Sequence, residues 1–123
     1  MGDPTPAILL VDHGSRRAES NEQLEEIAKL VRAREPGRIV RIAHMELAEP
    51  SVAEGVAACV ADGAREIVVH PYLLGPGRHS REDIPRLAAE AAAAHPGVEV
   101  RVSGPLGVHA SLVDVILDRV GEA

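Results

Sequence analysis

Apolar residues in this chain come in short unbroken runs, separated by longer stretches where they recur every three or four positions. The run AILLVD (7–12) predicts a strand buried on both faces, since a strand with one wet face would alternate. SNEQLEEIAKLVRARE (20–35) then places Leu24, Ile27, Ala28 and Val31 on one helical face. Ser20 and Gln23 there form a capping-box pattern, and Pro36-Gly37 stops the helix.

The same strand-then-helix unit recurs three times. RIVRIAHMEL (38–47) predicts a second strand ending near Glu46. Pro50, Ser51 and Glu54 open a helix with Val52, Val56, Cys59 and Val60 on its apolar face and Gly63 at its stop. REIVVHP (65–71) predicts a third strand. Ile84, Leu87, Ala88 and Ala91 mark a third helix, with Asp83 as its N-cap, Pro85 in its first turn and residues 95–97 as its end. VEVRV (98–102) and HASLVDVILDRV (109–120) complete the series. Strict alternation of this kind predicts an α/β fold: an open four-stranded parallel sheet with helices on both faces, in one domain spanning 1–123.

Such a sheet binds ligands beyond the carboxyl ends of its strands. The first strand delivers Asp12, His13, Gly14, Ser15 and Arg16 to that edge. The second delivers His44 and Glu46, which alternation puts on one side. The third delivers His70, Tyr72 and a loop carrying His79, and the fourth leads to His109. Imidazole and carboxylate from separate strand ends suit either a divalent first-row metal or acid–base work near neutral pH. His13, followed by a glycine, and His79, between two arginines in a loop shaped by Gly and Pro, carry the most weight, together with Glu46. His95 reads as a solvated helix end, His70 as a core residue and His109 as a cap of the last helix. His44 either lines the site or packs against a neighbour.

Composition narrows the partners. Tyr72 is the one aromatic residue and the net charge is −6, so nucleic acid, which needs basic surface or stacking platforms, is not an expected partner. The single cysteine, Cys59, excludes an intrachain disulfide and reads as a packed thiol. No apolar run approaches the roughly 20 residues of a membrane span, and the amino-terminal stretch lacks a signal-peptide pattern. A cytoplasmic protein without a membrane partner is expected. Glycine-rich nucleotide motifs and a G-x-S-x-G elbow are absent. DHGS lacks the preceding arginine of phosphohistidine enzymes, which disfavours phosphate chemistry at His13.

Four segments, LLVDHGSR, HMELAEPSV, VVHPYLLGPGRHSREDIP and GPLGVHASL, occur in this order and resemble the short class II chelatases. These are the sirohydrochlorin chelatases of the CbiX and SirB type, and the resemblance runs from about Ile8 to Val120. It implies insertion of a divalent metal (Co²⁺, Fe²⁺ or Ni²⁺) into a sirohydrochlorin-type tetrapyrrole, with release of two protons, in siroheme or cobalamin synthesis. His13 and His79 match the family's two active-site histidines, which bind metal and receive pyrrole protons. Glu46 matches its acidic residue, and Glu46 and His44 are candidate further ligands. The metal is then a substrate, with no permanent cofactor. Arg16, Arg78 and Arg81, with Ser15 and Tyr72, are the expected contacts to the macrocycle and its carboxylates; Arg17 and Arg81 read equally well as solvated charges. Members of this length are expected to pair as homodimers. The chain departs from the pattern at Leu74-Gly75, where the family often has phenylalanine, and at His44-Met45, where an aromatic often stands. Both leave the choice of metal open. A non-catalytic metal or tetrapyrrole carrier would keep the same histidines.

Overall fold

The computed structural model describes residues 5–75 and 77–123, and for residues 78–80 the backbone alone. Its elements alternate as β1 (Ala7–Asp12), α1 (Ala18–Arg34), β2 (Val40–His44), α2 (Val52–Ala61), β3 (Glu66–Pro71), α3 (Arg78–Ala93), β4 (Glu99–Val102) and α4 (Ser111–Glu122). The four strands form one parallel sheet in the order β2-β1-β3-β4. The expected class and sheet are therefore present.

Burial explains why β1 carries no alternation: both of its faces are covered. Leu9 and Val11 join Ala43, Ile67 and Val69 in a core closed by α2 and α3, through Val52, Val56, Cys59, Ile84, Ala88 and Ala91. Leu10 and Val40 face the other way, against Leu24 and Ala28 of α1. Burial pushes the Cys59 thiol up to about 11, consistent with a packed, unreactive group. Gly55 lets α2 sit close on the sheet, because a Cβ there would lie 2.8 Å from Leu9 Cδ1 and 2.9 Å from the Ala43 Cβ.

Two helix starts differ from expectation. The N-cap of α1 is Arg17, without a side-chain cap, so Ser20 lies inside the first turn. The turn is held instead by Asn21, whose Oδ1 accepts from the Ser15 N–H at 3.0 Å and whose Nδ2 donates to the Ser15 carbonyl at 2.7 Å. Helix α3 begins at Arg78, not Asp83, and Pro85 falls inside it. Its first residues are polar, so the apolar period that marks a helix in sequence becomes visible only at Ile84. The capping box of α2 is present as expected: Ser51 Oγ accepts from Glu54 N–H, and Glu54 Oε1 accepts from Ser51 N–H. Helix α4 is unlike the others, with no buried residue at all. Among the described residues, no helix is long and apolar enough to cross a membrane.

Candidate active site at the carboxyl edge of the sheet

Beyond the last rungs of β1 and β2 the two chains stay joined. Met45 N–H donates to the Asp12 carbonyl at 2.9 Å, and Glu46 N–H donates to the His13 carbonyl at 3.1 Å. Gly14 makes this possible. It adopts φ +93°, and a Cβ there would fall 1.7 Å from the Glu46 carbonyl oxygen, so only glycine lets the β1 loop pass so close. The result sets His13 beside Glu46 on the surface. His13 Nδ1 lies 3.5 Å from Glu46 Oε1, and the two side chains are 54% and 55% exposed.

A second imidazole–carboxylate pair lies beneath. Asp12 and His44 are cross-strand partners in the β1–β2 register, and His44 Nδ1 is 2.6 Å from Asp12 Oδ1. The His44 side chain is 2% exposed and that of Asp12 19%. Strand β2 ends at His44, two residues before Glu46, so alternation does not carry both side chains to the rim. His44 is seated below it, on the sheet, facing its carboxylate partner.

The loop after His13 is short and fastened. Ser15 Oγ accepts from the Arg17 N–H at 3.0 Å, while the Arg16 side chain is exposed and makes no hydrogen bond or ion pair among the described residues. Tyr72 is half-buried, its N–H donating to the Val11 carbonyl at 2.7 Å. It packs against the cluster under α1, near Leu10 and Leu24, on the sheet's α1 side.

The β3–β4 half of the edge is different in kind. A cavity of about 250 Å³ opens there, lined by Pro71, Leu73, Pro85, Val102, Pro105, Ser103 and Arg81. Leu106 and Gly107 N–H groups donate to the Leu73 and Leu74 carbonyls, tying the two loops that shape it. His70 is half-buried, with Nδ1 2.8 Å from Ser103 Oγ. The Ser103 hydroxyl in turn donates to the Gly104 carbonyl. Burial lowers the His70 pKa, against the opposing pull of Gly104. His70 is thus a hydrogen-bonded interior group, and His109 Nδ1 accepts from the Ser111 N–H at the start of α4.

The expectations for the side chains of Arg78 and His79 lie outside the described residues. Their backbone forms the first turn of α3, immediately after the β3 loop. Among the described residues, no three His, Cys, Asp or Glu side chains are grouped to hold a metal ion. His13 and Glu46 alone form a two-donor edge. Sequence reasoning missed Asp12 and Ser103 as histidine partners, since each bond spans about thirty residues and follows only from strand register.

A model of the CbiX family matches residues 7–123. The chain belongs to the CbiX family. Over 120 residues it is 49% identical to the chloroplastic sirohydrochlorin ferrochelatase of Arabidopsis thaliana, covering 98% of this chain and 53% of that protein. The sirohydrochlorin chelatase SirB of Bacillus subtilis subspecies spizizenii, solved in complex with cobalt, superposes with TM-score 0.86 at 31% identity. That match covers 97% of this chain and 51% of SirB. A CbiX protein of Marinobacter aquaeolei VT8, ascribed to cobalamin biosynthesis, superposes with TM-score 0.79 at 36% identity and covers 96% of both chains. This CbiX-family chain therefore spans about half the length of the Arabidopsis and SirB proteins, and nearly the whole of the Marinobacter one.

Proposed function

We propose that this CbiX-family chain is a sirohydrochlorin chelatase that inserts Co²⁺, Fe²⁺ or Ni²⁺ into a tetrapyrrole. The observation that carries the reading is the exposed His13–Glu46 pair at the carboxyl edge of β1 and β2. Insertion exchanges two pyrrole N–H protons for one divalent ion, so the site must hold a partly dehydrated metal and accept two protons. His13 offers an imidazole for either task, and Glu46 stands close enough to relay a proton or add an oxygen ligand. His79 supplies the opposing imidazole in this reading. Imidazole and carboxylate without thiolate bind borderline metals loosely enough to release them. Arg16 and Arg81, with Arg78, would hold the carboxylates of the macrocycle, and Ser15 and Tyr72 would flank it. The buried His44 is not among the donors of this reading. The metal is a substrate, and the reaction belongs in the cytoplasm, in siroheme or cobalamin synthesis.

A second copy of the chain would supply the wall opposite this edge. Supporting it, α4 carries Val113, Ile116, Leu117 and Val120 as one stripe, each at least half exposed. Sedimentation should show a dimer, and a monomer with full turnover would remove this part of the reading.

The decisive assay mixes the chain with sirohydrochlorin and Co²⁺ or Ni²⁺, or Fe²⁺ under anaerobic conditions, and follows the absorption spectrum. Many turnovers per chain are expected. Stoichiometric binding without turnover would make it a carrier instead.

A further inference from the structure

The ends of β1 and β2 hold two imidazole–carboxylate pairs, and the pairs are crossed. His13 from the β1 side meets Glu46 from the β2 side, while His44 on β2 meets Asp12 on β1. The upper pair is half exposed and loosely set at 3.5 Å; the lower is buried and tight at 2.6 Å. At 2.6 Å the His44 Nδ1 and Asp12 Oδ1 share a hydrogen bond across the two strands.

We propose that Asp12 and His44 are positioning residues: their buried bond clamps the two strand ends that present His13 and Glu46. The inference rests on reading the upper pair as the metal-handling edge. Asp12 directly precedes His13, and His44 lies two residues before Glu46. The carbonyls of Asp12 and His13 accept from Met45 and Glu46, so the clamp and the functional pair share consecutive rungs. Gly14 passes over the clamp, where a Cβ would lie 3.3 Å from the His44 Cβ. His44 therefore also forms the floor under the loop that leaves His13. His44 N–H donates to the Pro50 carbonyl at 2.8 Å, tying the same residue to the start of α2. Without the side-chain bond, strand ends joined only by backbone contacts could shift, and shifts of about 1 Å at a reacting group are costly.

The test uses the full chain and Co²⁺ alone, followed by its visible absorption bands and by calorimetric titration. Asp12→Ala and His44→Leu should weaken Co²⁺ binding about tenfold to a hundredfold, the range typical of groups that support metal ligands from behind. Asp12→Asn and His44→Asn, each able to keep a hydrogen bond across the gap, should restore most of that affinity and the wild-type band positions. Combining Asp12→Ala with His44→Leu should cost no more than the worse single change, as for one shared interaction. Wild-type affinity in both Asp12→Ala and His44→Leu would overturn the proposal, as would well-folded asparagine variants that bind no better than the broken ones. If the broken variants do not fold, the asparagine variants decide: near-native bands support the clamp, and a tenfold loss overturns it. His13→Ala separates the two levels of inference. If it keeps full Co²⁺ affinity, the reading of the edge fails; if it loses affinity while Asp12→Ala does not, only the clamp fails.

Discussion

On the β1–β2 half of the carboxyl edge, the groups nearest the surface are protic: His13 and Glu46 above, with Asp12 and His44 beneath them. On the β3–β4 half, the edge opens into a cavity walled by proline, leucine and valine, with Arg81 and Ser103 as its polar side chains. The topology is the same on both sides, two parallel strands feeding loops at one end. The difference lies in what closes the strands. On one side a glycine and a hydrogen-bonded His44–Asp12 rung bring two titratable groups together. On the other, prolines and a half-buried histidine make shape. In the proposed reading the exposed His13–Glu46 pair lies on the first half and Arg81 on the second, so substitutions at His13 and at Arg81 should act differently.

The largest effect is expected at His13. His13→Ala should reduce turnover on the order of 10²–10⁴-fold, the usual contribution of a positioned proton acceptor. Because the side chain is exposed, the melting temperature should hardly move. A loss of both together would mean that His13 is structural. Next comes Gly14→Ala, which pushes a Cβ into the Glu46 carbonyl at a backbone angle that favours glycine. It should cost about 2–4 kcal/mol of stability in a denaturant titration and lower activity as well, since the strand ends must part. On the other half, Arg81→Ala should raise the KM for sirohydrochlorin about tenfold or more, as expected on losing a charged hydrogen bond. It should leave the metal KM unchanged. An equal rise in both would remove Arg81 from the macrocycle contacts.

The smallest effect concerns His70. Its folded pKa lies below the ordinary 6.5, chiefly through burial. The unfolded chain then binds the proton more readily, so this contribution to stability is present above pH 6.5 and is lost as pH falls below it. Melting temperature should decline between pH 7 and 5.5, and His70→Asn should flatten that part of the curve. An unchanged curve would show that His70 contributes nothing to the pH dependence.

Much of this fold could be read in advance because each strand is a compact apolar run and each helix has its own period. The convergence of His13 and Glu46 followed from parallel topology alone, which sends all strand ends to one edge. The boundary of α3 was hidden because residues 78–83 are polar and mark no face. The fate of His44 was hidden for another reason. Whether it stands at the rim or under it depends on β2 ending at His44 and on Asp12 being its register partner, and neither is a local property of the sequence. The exposure of α4 was equally illegible: Val113, Ile116, Leu117 and Val120 have the spacing of a core-facing helix, yet none is buried.

Gly55 sits away from the edge, under α2, where a single added carbon would meet Leu9 and Ala43. Ala43 adjoins His44, and Ser51 at the cap of α2 bridges to His44. A bulkier residue at 55 would lift α2 and, through that bridge, pull on the rung below His13. The position is therefore closed to gradual drift: in a library selected for metal insertion, residue 55 should remain glycine while its exposed neighbours Ala53 and Ala57 vary.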